Sequence, residues 1–448
     1  MKVKVLSRNP DDYIRDTKTE FHKVTRNYSK EVHPFEEQRE YVRALNATKI
    51  ERMFAKPLIG DLSGHKDGIS CIAKHPTQLS TLVTGSFDGD VCVWNLPTRK
   101  CMKSLNAHDG FVRGIVFSTD GDRFLSVGDD KAIKVWTTNT YDMDDEEDDN
   151  APINTILSKT VLTSITHHRR DPIFATCGEM CQLWEESRNE PLKSLQWGSD
   201  SIHHIQFNLV ENNLLAACTS SRSIILYDRR EGKPLRKVVM SMRPNYLAWN
   251  PMEAFTFTVA NEDYNSYTFD TRNLNLPRKI HENHVAAVTC VDYAPTGKEF
   301  VSGSYDKTIR IYDVEKTNSR EIYHTKRQQH ITAVAWSSDN KYIYSGSDEM
   351  NIRIWKANAS EKLGPLKPRE KDAMRYNEAL KQKYSAHPQI KRIAKHRQVP
   401  RYVYKQQDLL KAAKEKEIRK EKNRVLNSKP GSIPHLSAKE RVIIREDE

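Results

Sequence analysis

The chain has 448 residues, 37% of them hydrophobic and 29% charged, with a formal net charge of +11. No run approaches the roughly 18 consecutive apolar residues of a membrane span, and Met1 to Pro10 lacks the apolar centre of a secretion signal, so neither membrane insertion nor export is expected. Seven scattered cysteines, an odd number, do not read as a disulfide framework and point to a reducing compartment, cytosol or nucleus.

The charge is unevenly spread. Met1 to Leu58 carries 13 Lys/Arg against 9 Asp/Glu, Ile59 to Trp355 carries 33 against 39, and Lys356 to Glu448 carries 25 against 12. Basic arms therefore flank a mildly acidic body, and an anionic partner meets the arms first. Nucleic acid is the expected anion, because cationic tails gain affinity by displacing counterions from phosphates. A solvated charged helix is the alternative reading of the same composition.

The first arm, residues 1–57, begins irregularly from Arg8-Asn9-Pro10 to His33-Pro34, with Tyr13, Phe21 and Tyr28 among its charges. Such a mixture suits RNA contact by stacking and phosphate pairing, or packing on the rest of the chain. Phe35 to Phe54 predicts a helix with Tyr41, Leu45, Ile50 and Phe54 on its apolar face.

A repeat follows. Short strand-like runs close on Trp94, Trp136, Trp184, Tyr227, Phe269, Tyr312 and Trp355, at spacings of 42, 48, 43, 42, 43 and 43 residues. A period of about 40–45 residues is that of a four-stranded propeller blade. The long spacing holds an acidic insert, Asp142 to Asp149, too polar for a strand and expected to be disordered because its like charges repel.

Within the first unit, Gly64-His65 opens the repeat, Ile69 to Ala73 and Leu82 to Gly85 give strands, and Phe87-Asp88-Gly89-Asp90 gives a turn before Val91 to Trp94. Units two, six and seven repeat the scheme from Ala107-His108, Asn283-His284 and Gln329-His330, whereas units three to five keep mainly the strand rhythm and the closing pair. The prediction is an all-β, seven-bladed propeller over residues 58–355. Its ring closes by a strand at Leu58 to Leu62 joining the blade that ends at Trp355.

These units resemble WD repeats, in which a His, a hydroxyl residue, a turn Asp and a Trp form a hydrogen-bonded relay. Here that implies His65, Thr84 or Ser86, Asp88 and Trp94 in blade 1, and His284, Ser302, Asp306 and Tyr312 in blade 6. The role is structural: an active site would not be copied around a ring.

The second arm, residues 356–448, predicts one helix over Pro368 to Tyr384, a break at Pro388, a basic stretch from Gln389 to Gln398, and a charge-dense helix over roughly Lys405 to Leu426. The candidate RNA-binding residues are Lys391, Arg392, Lys395, Arg397, Lys414, Arg419, Lys420, Lys422 and Arg424. The same stretch could serve as a nuclear localisation signal. Phosphate-binding loops are missing. Cys177 and Cys181 lack a second pair at zinc spacing, and neighbouring His167-His168 and His203-His204 would point to opposite faces of a strand. No catalytic residue, metal or cofactor is assigned, and the chain is read as a binding scaffold, not an enzyme.

Longer segments are more specific. Arg43 to Lys49, Asn250 to Phe255, Ala260 to Asn265, Gly346 to Arg353, Lys356 to Gly364, Glu421 to Arg424 and Ser428 to Ser432 together resemble the WD-repeat proteins with a C-terminal Sof domain. That resemblance implies a nucleolar scaffold of the small-subunit processome. Its partners would be pre-ribosomal RNA, the U3 small nucleolar ribonucleoprotein and other processome proteins, and its task pre-rRNA processing toward 18S rRNA. Asp228-Arg229-Arg230 and Asp270-Thr271-Arg272 also resemble the WDxR signature of cullin-ligase substrate receptors, with Tyr or Phe in place of Trp. By that resemblance Arg230 and Arg272 would dock on a cullin-ligase adaptor.

Overall fold

A computed structural model describes residues 34–138 and 151–447, apart from positions 197, 199, 232, 430, 431, 435 and 436. The acidic insert and the irregular part of the first arm lie outside the described residues. The chain forms two compact units: residues 56–361 with 397–448, and, among described residues, 34–55 with 362–396.

The larger unit is a seven-bladed propeller, each blade a four-stranded antiparallel sheet. Its innermost strands are Ile69–Lys74, Val112–Phe117, Ser164–His167, Ile202–Phe207, Pro244–Trp249, Val288–Tyr293 and Ile331–Trp336. Each neighbours the next, and the seventh neighbours the first, so the ring is closed. Closure is as the sequence predicts: Leu58–Ser63 pairs antiparallel with Asn351–Lys356, Leu58 opposite Trp355 and Leu62 opposite Ile352. Leu62 is fully buried beside Trp94, Leu82 and Ile352, so the joining strand also seals the core between blades 7 and 1.

Apolar residues alternate onto both faces of each sheet because every blade is covered on two sides. One core, for example, joins Val83, Val93 and Leu105 of blade 1 to Phe117, Phe124 and Trp136 of blade 2. The seven closing aromatics are all buried. A second device stitches the ring. A bulge near the start of most innermost strands re-aims one side chain sideways. Thus Asn245 donates to the Val288 carbonyl of the next blade at 2.9 Å, Thr289 to Ile331 at 2.7 Å, and Thr332 to Ile69 across the closure. Thr163 does the same toward Ile202 at 2.6 Å. Gly89 (φ +94°) makes the blade-1 turn, where an added Cβ would meet the His108 carbonyl at 2.0 Å.

The relays are less uniform than the repeat implies. Blade 2 has the full set: the Trp136 indole N–H reaches Ser126 Oγ (2.9 Å), Ser126 meets His108 Nε2 (2.7 Å), and His108 Nδ1 meets Asp130 (2.9 Å). In blade 1 the hydroxyl is Thr84, bonded to both His65 and Trp94 at 2.7 Å; Ser86 instead accepts the turn N–H of Asp88. Asp88 is exposed and outside the relay, a correction to the expectation from sequence. Blade 6 keeps His284, Ser302 and Asp306, but its Tyr312 hydroxyl donates elsewhere, to the Glu282 carbonyl at 2.9 Å. His330 of blade 7 lies outside any relay, its Nδ1 2.8 Å from the Tyr305 carbonyl.

Beyond the seventh blade the larger unit continues through a helix, Arg401–Leu426, and a strand, Ile443–Asp447. That strand, which the sequence reading missed, adds a fifth member to blade 4 by pairing with Pro234–Met240, while Val442 enters the core between blades 4 and 5.

Among the described residues the smaller unit has three helices: α1 (Glu36–Met53), α2 (Pro368–Lys383) and α3 (Pro388–Lys395). The long helix of the larger unit is α4. Ala44, Leu380 and Ile390 form the buried centre of the smaller unit, with Tyr41, Leu45 and Tyr384 packed on it. Ile50 and Phe54, expected on the apolar face of α1, are instead exposed, and Ala44 and Thr48 face inward. Small residues there allow close helix approach. Lys381–Glu51 and Lys383–Glu40 pairs, both 2.7 Å, tie α2 to α1.

Candidate interaction surfaces

The buried relays are the first groups with chemical potential. In blade 2 every member is satisfied: the indole donates to Ser126, Ser126 donates to His108, and His108 donates to Asp130. That order assigns the His108 proton to Nδ1. Burial holds His108 below its ordinary pKa, partly opposed by Asp130. Ser126 is wholly buried, so the relay rigidifies the blade. Cys177 and Cys181 face each other across a hairpin in the core, where burial raises both thiol pKa values. Among the described residues no His/Cys/Asp/Glu group is arranged to hold a metal, and no helix is long and apolar enough to cross a membrane.

The basic candidates divide between the units. In the smaller unit Lys391, Arg392 and Lys395 are exposed on α3. In the larger unit Arg397 is anchored: it meets Glu321 at 2.6 Å and donates to the Arg320 carbonyl at 2.9 Å, with its side chain only 15% exposed. Lys414 lies 3.6 Å from Glu282, and Gln407 donates to the Asn283 carbonyl at 2.8 Å, so one face of α4 lies against blade 6 with Val403 buried beneath it.

The remaining surface of α4 carries a one-sided charge pattern. At about 100° per residue, Arg401, Lys405, Lys416, Arg419, Lys420 and Arg424 fall within roughly 140° of arc, centred away from Val403. All six are exposed, and Asp408, Glu415, Glu417 and Glu421 all lie outside that arc. Tyr402 and Leu409, both exposed, sit within it. The stripe runs about 35 Å at 1.5 Å per residue. Arg419, Lys420 and Arg424 were legible as candidates. Arg401, Lys405 and Lys416 were missed, although a helical projection of the sequence would have found them. Lys422 falls on the flank beside Glu415 and Lys411.

Arg230 and Arg272 occupy matching places at the ends of blades 4 and 5. Each guanidinium grips the carboxylate two residues before it. Arg272 Nε and Nη2 donate to Asp270 at 3.0 and 2.8 Å, and Arg230 Nε and Nη2 donate to Asp228 at 3.3 and 3.2 Å. These contacts raise both Arg pKa values, and the Arg272 contact holds Asp270 below the usual carboxylate range. The side chains stay 66% and 69% exposed. Arg272 also lies 4.8 Å over the half-exposed ring of Phe255. The neighbouring-blade contact falls to Arg229, which meets Asp171 of blade 3 at 2.6 Å. Arg230 and Arg272 are thus oriented in advance and open to a partner.

A family model described as a Sof1-like domain matches residues 357–443, and one described as a WD domain, G-beta repeat, matches 56–95, 99–137, 276–313 and 320–356. The stretch between, 138–275, holds the blades that lack the Gly-His start. The chain is 56% identical over 445 residues to "DDB1- and CUL4-associated factor 13" of Danio rerio, covering 99% of each chain. Against the protein of that name from Homo sapiens it is 54% identical over 444 residues, again covering 99% of each. It is 41% identical over 464 residues to "Protein SOF1" of Saccharomyces cerevisiae, covering 99% of this chain and 94% of that one.

Proposed function

The chain belongs to the family of WD-repeat proteins that carry a Sof1-like domain, and on that premise we propose that it is a non-enzymatic scaffold of the small-subunit processome. It works in the nucleolus beside the U3 small nucleolar ribonucleoprotein and other processome proteins, and it supports processing of pre-ribosomal RNA toward 18S rRNA. The observation that carries this reading is the acid-free stripe of six cations on α4. Such a stripe follows a phosphate backbone without reading sequence, which suits a structural RNA contact. Lys391, Arg392 and Lys395 supply a second basic patch on α3. Arg397 and Lys414 serve as tethers, because their charges are engaged by Glu321 and Glu282. The closed propeller presents rigid faces to proteins. The test is charge reversal of Arg419, Lys420 and Arg424: co-sedimentation with pre-ribosomes falls if the stripe binds RNA, and unchanged sedimentation sinks the reading.

A second activity is supported by Arg230 and Arg272. We propose that these exposed, carboxylate-oriented guanidiniums dock a cullin-ligase adaptor, in keeping with the name of the vertebrate relatives. Co-purification of adaptor should be lost in an Arg230→Ala, Arg272→Ala double variant whose pre-ribosome association is intact. Retention of adaptor by that variant refutes the docking role.

A further inference from the structure

One face of the propeller carries a row of aromatic side chains to which the reading above gives no task. In blades 6, 7 and 1 the turn between the second and third strands lies at the same end of the sheet as the loop that enters the innermost strand, because those strands pair antiparallel. Backbone bonds tie turn to loop: Tyr305 N–H donates to the Ala287 carbonyl at 3.1 Å, Asp348 to His330 at 3.2 Å and Phe87 to Gly68 at 2.9 Å. Turns and loops therefore lie together on one face of the disc.

Across blades 6, 7, 1 and 2 these positions join into a continuous row. The Tyr305 ring meets His330 edge-on, centroids 5.1 Å apart, and the His330 carbonyl leads on to Asp348. Gly68 comes next, where a Cβ would stand 3.0 Å from the Phe87 ring and 3.1 Å from the Asp348 Cα. Phe87 then meets Phe111 of the following loop edge-on, centroids 5.1 Å apart, and the Arg113 guanidinium lies 5.1 Å over Phe111. Phe111 and Tyr305 are 43% and 49% exposed. Rings left this open to water add little to the core, and a connected set of them marks an interaction surface.

The charges left over within the row are acidic. Arg113 is forked onto Asp129 at 2.7 and 2.9 Å, Lys66 meets Asp90 at 3.3 Å, and Lys307 is drawn to Gln329 at 2.6 Å. Asp88 beside Phe87, Asp109 ahead of Phe111, and Asp348 between the two aromatic pairs are exposed, and none has an ion-pair partner among the described residues. An RNA strand would stack on the same rings, but its phosphates would meet these carboxylates. An Arg or Lys side chain gains from the ring faces and the carboxylates together.

We propose that this row docks an extended basic segment of a protein partner, with Arg or Lys side chains laid over Phe87, Phe111 and Tyr305 and reaching Asp88, Asp109 and Asp348. The inference goes beyond the RNA contact and stands whether or not the α4 stripe binds RNA.

The test uses the full chain and two fluorescein-labelled peptides, four repeats of Arg-Ser-Gly and the same peptide with Glu for Arg, followed by anisotropy. The unaltered protein should bind the Arg peptide at least about tenfold more tightly than the Glu peptide. A Tyr305→Ala, Asp348→Lys variant alters two exposed positions, so its melting temperature should be kept. It should bind the Arg peptide about tenfold more weakly and lose less than about twofold in affinity for a single-stranded RNA 12-mer. An Asp120→Lys, Asp122→Lys variant places the same kind of charge reversal in exposed positions at the opposite end of the blade-2 sheet. Its affinity for the Arg peptide should stay within about twofold of the unaltered protein. Equal losses in the two variants overturn the site, since they mark diffuse attraction. Unchanged peptide affinity in the row variant overturns it, as does failure of the unaltered protein to prefer the Arg peptide. Parallel loss of RNA and peptide in the row variant also overturns it and assigns the row to RNA.

Discussion

Asp88 and Asp306 stand at the same place in the repeat, four residues after the relay hydroxyl, yet they should differ sharply when removed. Asp306 is 2% exposed, and its carboxylate accepts from His284 Nδ1 (2.9 Å), Val285 N (3.3 Å), Thr308 N (2.9 Å) and Thr308 Oγ1 (2.6 Å). Burial alone would raise its pKa, but His284 and Arg310 hold it down at about 2. Asp306→Ala strands four buried donors, at an expected cost of about 3–5 kcal/mol. For a domain of this size that is a fall in Tm of roughly 6–10 °C. Asp88 is exposed, so Asp88→Ala should cost less than about 0.5 kcal/mol. Thermal unfolding of the two variants, followed by circular dichroism at neutral pH, makes the comparison. Equal shifts would refute the assignment of blade-specific relays.

Further outcomes follow from the same geometry. His65 and His281 are held at about 4, chiefly by burial, so between pH 6.5 and 4 the folded state binds fewer protons than the unfolded chain. Their stabilisation is complete above pH 6.5 and declines as pH falls to 4, by up to about 3 kcal/mol each; denaturant midpoints across that window should fall accordingly. Leu62→Ala, in the joining strand, should cost about 2–4 kcal/mol in chemical denaturation, because Leu62 is fully buried between blades 7 and 1. Removing 58–63 altogether should expose the edge of Asn351–Lys356, with aggregation visible by size-exclusion chromatography. Replacing Arg401, Lys405 and Lys416 by Ala should reduce the salt dependence of RNA binding by roughly three phosphate contacts, read as the slope of log affinity against log salt.

The fold was legible because a propeller repeats its signals. The spaced aromatics Trp94 to Trp355 gave blade number, and the alternating run at Leu58 to Leu62 gave the closure. The relays were only half legible: spacing places a hydroxyl and an Asp in the turns of blades 1, 2 and 6, but burial decides whether the Asp joins, as at Asp130 and Asp306, or turns to solvent, as at Asp88. The fifth strand of blade 4 was hidden because Val442-Ile443-Ile444 is short, and its partner strand lies some 200 residues earlier. Composition located the basic arm. It could not separate cations spent on tethering, such as Arg397, from those left outward, such as Arg401 and Lys416. For Arg397 that division depends on Glu321 lying within reach, and for the α4 cations on which face of the helix meets blade 6. The Asp-x-Arg pairs were found by motif, and their own-blade pairing came from the strand-end geometry.

Cross-linking the tagged protein to RNA in cells, and sequencing what is recovered, tests the scaffold reading most directly. The account predicts enrichment of pre-ribosomal RNA and U3, reduced when Arg419, Lys420 and Arg424 are reversed in charge. Recovery of neither RNA, with the adaptor still co-purifying through Arg230 and Arg272, would contradict it and leave ligase docking as the function.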